Sequence, residues 1–251
     1  MSSFAKIKSK ILRRWYKMIY QPIRVFVFHH VSEERDILVC QEPDWTQLDQ
    51  FKRNIEHLSQ DHTFISLAEA CDKLQHDWFR RRKYAVLTTD DGLASVLNVL
   101  PWLAEKKIPL TLFINTRYME GDKIKPIHQK WLQEMAPDAD GNSIAKGMYL
   151  SKEQVFELTS RYIEIGLHGH EHFDAVSISE AAFEEDIDKC IAVLRSHPRY
   201  IPAFAYTWGH ATNESIAYIQ NQGIIPVLIN GGVNYKWVGF VDRECIDNIK
   251  L

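Results

Sequence analysis

Two adjacent carboxylates and a cluster of histidines are the residues of this sequence whose types and spacing could do chemistry. Asp90 and Asp91 directly follow the strand-forming run 84–89. His168 and His172 stand four positions apart after a second apolar run, so one helical turn could direct both imidazoles at one metal ion. One carboxylate with two imidazoles forms a facial ligand set that leaves positions open for water and substrate. The second carboxylate would then be free to act as a base.

The positions of these residues strengthen this interpretation. An Asp-Asp-Gly triplet by itself is usually a turn, whereas a tract with three histidines within 168–172 favours metal binding. Each group follows an apolar run, as expected if both lie at the carboxyl ends of strands on one rim of a parallel sheet or barrel. We therefore expect the two groups to meet in one site.

The elements that must position this site alternate along the chain. Repeated strand-helix alternation predicts an α/β fold with a parallel barrel, and 251 residues with 45% hydrophobic content predict a single domain over 1–251. A polar insertion is predicted over 115–150, followed by a capping box that begins at Ser151. The predicted strands are 62–66, 84–89, 110–114, 163–167, 201–205, 224–229 and 237–241, after a first strand from Arg24; the predicted helices include 45–58, 67–74, 94–106, 179–195 and 214–221.

The first 22 residues form a predicted basic amphipathic helix that ends at Pro22. Apolar residues recur at helical spacing, and the segment contains six lysines and arginines and no acidic residue. Such a helix could lie on an anionic membrane surface, or it could close one end of the barrel with its basic edge in solvent. Lys8 falls toward the apolar side and so favours the closing helix.

Charge, cysteine spacing and hydropathy argue against a nucleic-acid-binding, a disulfide-rich and a membrane-spanning protein. A formal net charge of -3 gives no reason to propose a nucleic-acid partner. The four cysteines are scattered without the spacing of a zinc site or a disulfide framework, which predicts reduced thiols. The sequence contains neither a transmembrane run nor a secretory signal, so we expect a cytoplasmic protein, with peripheral contact at the inner face of the membrane as the alternative.

Three motifs resemble those of the polysaccharide deacetylases, the NodB-homology carbohydrate esterases. The segment 88–92, Thr-Thr-Asp-Asp-Gly, resembles the family's Thr-Phe-Asp-Asp-Gly motif, with Thr89 in place of Phe. His168 and His172 match its His-Ser/Thr-x-x-His motif, and 204–209 resembles its Phe-Ala-Tyr-Pro-Tyr-Gly motif. The resemblance covers nearly the whole chain. It implies a distorted, seven-stranded (β/α) barrel of the NodB-homology type.

The resemblance also implies roles for the carboxylates and histidines. Asp91, His168 and His172 would hold one divalent metal ion, with Zn expected and Ni, Co, Fe or Mn as alternatives. The metal would polarise the amide carbonyl and lower the pKa of bound water toward about 7. Asp90 would take the proton of the water as general base. His29, which follows the first strand, would protonate the leaving amine as general acid, with His30 as second choice.

Other residues receive supporting roles by the same resemblance. Backbone N–H groups near Thr207 and Trp208 would stabilise the oxyanion, and Trp208 would stack on the sugar. Tyr206 and His30 would complete the substrate-binding set. His170 is expected to support the metal ligands from behind. Arg243 could orient the base, because Ala205 stands where many relatives carry the arginine with that role.

The leading hypothesis is a metal-dependent N-deacetylase that acts on an acetamido sugar during synthesis of O-antigen or capsule. A cytoplasmic location would favour a nucleotide-linked or lipid-linked sugar as substrate. One alternative is hydrolysis of a small non-sugar amide, as in allantoinase-like relatives. Another is a silent carbohydrate-binding protein, although a free carboxylate beside a purely structural metal would have no use. The sequence leaves the oligomeric state open.

Overall fold

The fold is described from a computed structural model that covers residues 21–34, 45–77, 79–135, 137–138 and 140–246. The predicted amphipathic helix falls outside the described residues except for its last two positions. Every statement about the structure below concerns the described ranges.

A closed ring of seven parallel strands forms the centre of the protein. Strand β1 pairs with β5 and thereby closes the ring, which continues from β5 through β6, β7, β8, β9 and β11 back to β1. Strand β4 extends the sheet beside β5, and β10 runs antiparallel to the start of β1. The strands are β1 (Ile23–Phe28), β2 (His30–Ser32), β3 (Trp45–Gln47), β4 (His62–Phe64), β5 (Lys83–Thr89), β6 (Leu110–Ile114), β7 (Ile163–Leu167), β8 (Tyr200–Ala205), β9 (Ile225–Ile229), β10 (Val233–Asn234) and β11 (Val241–Cys245).

Helices connect the strands and surround the ring, which confirms the predicted seven-stranded (β/α) barrel. They are α1 (Leu48–Ser59), α2 (Leu67–His76), α3 (Leu100–Glu105), α4 (Pro126–Met135), α5 (Gly141–Met148), α6 (Lys152–Glu157), α7 (Glu180–Leu194) and α8 (Asn213–Asn221), with short 3-10 helices at Ala94–Asn98, Tyr118–Glu120 and Thr207–Gly209. No helix in the described ranges is both long enough and apolar enough to cross a bilayer.

The period-two alternation of each strand divides its residues between the barrel interior and the outer helices. In β1, Val25 belongs to the cluster that fills the interior, whereas Phe26 and Phe28 pack against the helices. In β5, Val86 faces inward with Thr88, and Leu87 faces outward. Because this alternation continues past the end of β5, Asp90 also faces the interior, where it can meet side chains from other strands.

A buried carboxylate joins the interior to helix α2. Glu164 of β7 accepts hydrogen bonds from the backbone N–H of Leu67 at 2.9 Å and from the Thr111 hydroxyl at 2.9 Å. Negative charge at a helix N-terminus is stabilised by the unpaired N–H groups there. Gly166, two residues further on, leaves room for Phe113, because a Cβ on Gly166 would lie 2.6 Å from that ring.

The insertion over 115–150 folds back onto the loop that carries the two carboxylates. It contains helices α4 and α5, and an antiparallel bridge joins its Tyr149 to Leu93. The N–H of Leu150 donates to the carbonyl of Gly92 at 2.8 Å. The predicted capping box is confirmed, because the side chains of Ser151 and Gln154 each accept from the other's backbone N–H. The insertion is thus anchored next to Asp91.

Candidate metal centre and active site

The two carboxylates lie at the carboxyl end of β5, where the backbone turns sharply. Asp91 has φ +74° and is 6% exposed, and Asp90 is 2% exposed. Three of the four non-glycine residues with positive φ among the described residues belong to this site, namely Asp91, His172 and Trp208. Left-handed backbone at such residues is unfavourable and clusters at functional sites. All three side chains line one cavity.

The histidine segment that follows β7 is a loop, so the predicted helical turn is wrong. Gly169 has φ +82° and His172 has φ +60°, neither of which is compatible with a right-handed helix. The carboxylate of Asp186 on α7 holds the loop by accepting from the N–H groups of His170 and Glu171, both at 2.8 Å. A Cβ on Gly169 would lie 2.6 Å from the Oδ2 atom of Asp186. Glycine is therefore required for this close approach.

Asp91, His168 and His172 form a group that could hold a metal ion. Oδ1 of Asp91 lies 3.3 Å from Nε2 of His168 and 3.2 Å from Nε2 of His172. One potential ligand atom of each residue lies within 4.8 Å of the others. Nδ1 of His168 donates to the carbonyl of Ala205 at 2.7 Å, which fixes the tautomer that presents the Nε2 lone pair. This donor set fits a divalent cation.

Electrostatics keep Asp91 and His172 in the protonation states that metal binding would require. Burial and the neighbouring Lys125 ammonium lower the pKa of His172 to about 3, so its imidazole is neutral at physiological pH. Burial alone would raise the pKa of Asp91, but Lys125 and His172 hold this pKa well below the ordinary value. Asp91 is therefore an anion.

Asp90 forms a bidentate ion pair with Arg243. The Nη1 and Nη2 atoms of Arg243 donate to the two carboxylate oxygens at 2.6 and 2.8 Å, and Nη1 also reaches the Thr88 hydroxyl at 3.2 Å. Burial would raise the pKa of Asp90, but the charge of Arg243, followed by His168 and His29, holds it at about 2. The last strand was predicted over 237–241 and instead spans Val241–Cys245, which places Arg243 inside it.

The two histidines after β1 occupy different surroundings. His29 lines the cavity of about 250 Å³ that also contains both aspartates, and its Nε2 lies 3.9 Å from Oδ2 of Asp90. His30 lies in β2 in register with Trp45, is 8% exposed and does not line this cavity. Of the two, His29 has the position that proton transfer to a substrate in the cavity would need.

The third motif divides between the core and the cavity. Tyr206, which was predicted to bind substrate, is fully buried and stacks on Phe183 with ring centroids 6.0 Å apart, so it belongs to the core. Trp208 is 55% exposed, lines the cavity and meets the His172 ring edge to face at 5.7 Å. Thr207 is buried in the 3-10 turn between them. The N–H groups of Gly209 and His210 donate to the carbonyls of Tyr206 and Thr207, respectively, within this turn.

Sequence reasoning missed the contribution of the insertion. Ile127 and His128 of α4 line the cavity, and Lys125 contacts Asp91 from the same segment. A lysine and a histidine in a polar segment gave no signal that they would be buried. His170 lies behind the ligands, where its Nδ1 is 2.8 Å from the Thr116 hydroxyl. The His170 side chain points away from the Asp91, His168 and His172 group because of the loop conformation, and not because of helical geometry as predicted.

Comparison with solved structures shows the same fold. The chain resembles Streptococcus pyogenes deacetylase PplD in complex with acetate, with TM-score 0.69 and 17% identity over 91% of this chain and 94% of that one. It resembles IcaB from Ammonifex degensii with TM-score 0.65 and 22% identity over 90% and 92% of the two chains. A de-N-acetylase from Aggregatibacter actinomycetemcomitans gives TM-score 0.67 and 14% identity over 92% and 97%.

Sequence comparison gives the family. A search of curated proteins returned no match. The family profile for polysaccharide deacetylase, however, matches residues 80–227, more than half of the chain and including the carboxylate pair, His168, His172 and the third motif. With the barrel and the convergence of these motifs in one cavity, the match shows that the chain belongs to the polysaccharide deacetylase family.

Proposed function

We propose that this protein is a metal-dependent hydrolase that removes the acetyl group from an acetamido sugar during cell-surface polysaccharide synthesis. Membership of the family implies a hydrolase that acts on amide bonds of acetylated polysaccharides. The observation that carries the proposal is the arrangement of Asp90 and Asp91 in one cavity. Asp91 lies close to both His168 and His172, whereas Asp90 pairs with Arg243 and, of these two histidines, lies near His168 alone, 4.0 Å from its Nε2. A base and a metal group side by side are what hydrolysis of an amide requires.

Metal would be held by Asp91, His168 and His172, and zinc is the ion that we expect. When bound, a divalent metal polarises the substrate carbonyl and makes water a stronger acid. Asp90 accepts the proton that water loses as it adds to the acetyl carbon. Because Arg243 keeps the pKa of Asp90 at about 2, this carboxylate is ionised at neutral pH, and the same low pKa makes it a weak base that depends on the acidity of the water.

The leaving amine needs a proton, since the C–N bond otherwise breaks to a strongly basic anion. His29 supplies it from the cavity wall, close to Asp90. The products are acetate and the free amine of the sugar. Amide N–H groups of Thr207 and Trp208 stabilise the oxygen anion that develops on the carbonyl, and the exposed face of Trp208 packs on the sugar ring.

We assign this reaction to the cytoplasm, on a nucleotide-linked or lipid-linked precursor of O-antigen or capsule. The buried cysteines Cys71 and Cys190 are free thiols, as a reducing compartment would keep them. The pKa of the buried Cys71 and Cys190 thiols is raised to about 12 by burial, so both are unreactive packing groups.

Metal content and acetate release together test the proposal. Wild type is compared with Asp90→Asn and His172→Ala on a nucleotide-linked acetamido sugar, a lipid-linked one and an acetylated polymer. We expect about one zinc ion in wild type and in Asp90→Asn, acetate release only in wild type, and loss of both in His172→Ala. Zinc binding without acetate from any acetamido sugar would contradict the proposal and leave a small-amide hydrolase or a silent binder.

A further inference from the structure

The insertion over 115–150 places a buried lysine, Lys125, against the Asp91, His168 and His172 group. Lys125 is fully buried, and its Nζ makes a short ion pair with Oδ1 of Asp91. That oxygen is the same atom that faces Nε2 of His168 and Nε2 of His172. Three nitrogen atoms thus surround Oδ1 of Asp91, the carboxylate that a metal ion would also need.

Aromatic side chains hold Lys125 in this position. Its Nζ lies 5.6 Å from the ring centroid of Tyr118 and 5.9 Å from that of Tyr149, within the range of cation–π attraction. The Lys125 backbone N–H donates to the Tyr149 hydroxyl at 3.2 Å, and this hydroxyl also lies 2.7 Å from Nδ1 of His128. The lysine is therefore placed by a built environment and is not a solvated surface residue.

The charges in the cavity are balanced by two internal pairs. Arg243 neutralises Asp90, and Lys125 neutralises Asp91. A divalent ion added at Asp91 with Lys125 still in place would leave an excess of two positive charges in a largely buried site. Like charges a few ångströms apart repel strongly where water is excluded. Simultaneous binding of the Lys125 ammonium and a metal ion to Asp91 is therefore electrostatically unfavourable.

We propose that Lys125 is an internal competitor for the metal, so that ammonium and divalent ion occupy Asp91 in turn. The inference rests on the metal site of the proposed function and adds a form of regulation to it. Ile127 and His128, two and three residues after Lys125, form part of the cavity wall. Metal binding that displaces Lys125 therefore also shifts the start of α4 and reshapes the substrate pocket.

Zinc affinity tests the competition directly. Metal-free full-length protein is titrated with zinc against a chromogenic chelator, for wild type, Lys125→Met and Lys130→Met. Lys130 lies on α4 with an exposed side chain and serves as the matched control. We expect Lys125→Met to bind zinc at least about tenfold more tightly than wild type, and Lys130→Met to match wild type. Unchanged or weaker binding by Lys125→Met would overturn the proposal.

Hydrogen exchange of the wild type gives a second test that needs no variant. The amide of Lys125 and the amide of Gln129, which donates to the Lys125 carbonyl at 2.9 Å, should exchange faster after zinc is added. Amides of β6 (Leu110–Ile114) should not change. Equal or slower exchange in α4 with zinc bound overturns the inference, while acetate release by the same sample shows that the proposed function stands. A protein that binds no zinc contradicts both.

Discussion

Arg243 and Asp90 lie 153 residues apart in sequence and form a buried, two-bond ion pair at the end of the barrel interior. The guanidinium fork fixes both carboxylate oxygens, so Asp90 has one orientation in the cavity. Neither residue is accessible to bulk solvent, since Arg243 is 0% and Asp90 2% exposed. The pair therefore sets the geometry of the proposed base and balances its charge.

Replacement of Arg243 by lysine should impair turnover more than metal binding. Arg243→Lys keeps a positive charge but cannot make the bidentate contact, so Asp90 loses its fixed orientation. We expect kcat to fall about ten- to a hundredfold with zinc content unchanged. Steady-state kinetics and metal analysis measure the two quantities.

The matched control for this substitution is Arg24→Lys. Arg24 also pairs with a carboxylate, since its Nε and Nη2 atoms both donate to Oε1 of Glu244 at 2.9 and 2.6 Å, but this pair lies on the partly exposed outside of the neighbouring strands. We expect kcat of Arg24→Lys within about twofold of wild type, as is usual for exposed pairs. A wild-type kcat in Arg243→Lys would show that Asp90 needs no fixed orientation.

The same ion pair should make stability depend on acid pH. The pKa of Asp90 falls from an ordinary 3.8 to about 2 on folding, so its contribution is present above pH about 4 and is lost as pH falls through about 2. That contribution is about 2 kcal/mol of unfolding free energy. Urea unfolding of metal-free protein at pH 6 and pH 2.5 should show a smaller loss for Asp90→Asn than for wild type. Equal losses would mean that Asp90 does not titrate with a depressed pKa.

Asp186 should control metal affinity although it is not a proposed ligand. It holds the backbone of His170 and Glu171, between the two ligand histidines, with two hydrogen bonds. Asp186→Asn replaces one acceptor oxygen by a donor that faces an N–H group, which opens the loop. We expect zinc affinity to fall about ten- to a hundredfold. Chelator competition measures the change.

Asp188→Asn is the control for the loop, because Asp188 is exposed on the same helix and bonds Tyr218 at 2.8 Å, away from the histidines. Its zinc affinity should equal that of wild type. If Asp186→Asn also binds zinc as wild type does, the loop is held by other contacts.

The sequence predicted most of the barrel because its strands are apolar and alternate regularly with helices. It also placed the carboxylates and histidines at strand ends, which is a property of local pattern. The bounds of the last strand, β11, were not predicted correctly from the sequence. Three of its residues, Asp242, Arg243 and Glu244, are consecutive charged residues, which do not resemble an apolar strand. Each has a partner distant in sequence: Asp242 accepts from the Asn230 N–H, Arg243 meets Asp90, and Glu244 meets Arg24.

The loop of histidines and the insertion were harder to predict for related reasons. A spacing of four fits a helix, but Gly169 and His172 adopt positive φ because Asp186, from the next helix, holds the loop. Burial of Lys125 depends on two tyrosines and on Asp91 from separate segments. Such tertiary contacts override local propensity and leave no periodic trace in the sequence.

His29 and His30 provide a test of the proton donor. His29→Gln removes a titrating group from the cavity, whereas His30→Gln changes a side chain that lies outside it. We expect kcat of His29→Gln to fall by about 10² to 10⁴ with zinc content retained, and kcat of His30→Gln to stay within a few-fold of wild type. A substrate with a better leaving group should recover part of the loss in His29→Gln, because departure of a weakly basic amine needs less help from an acid. The reverse ranking of the two variants would transfer the role to His30, and no loss in either would place the donor elsewhere in the cavity.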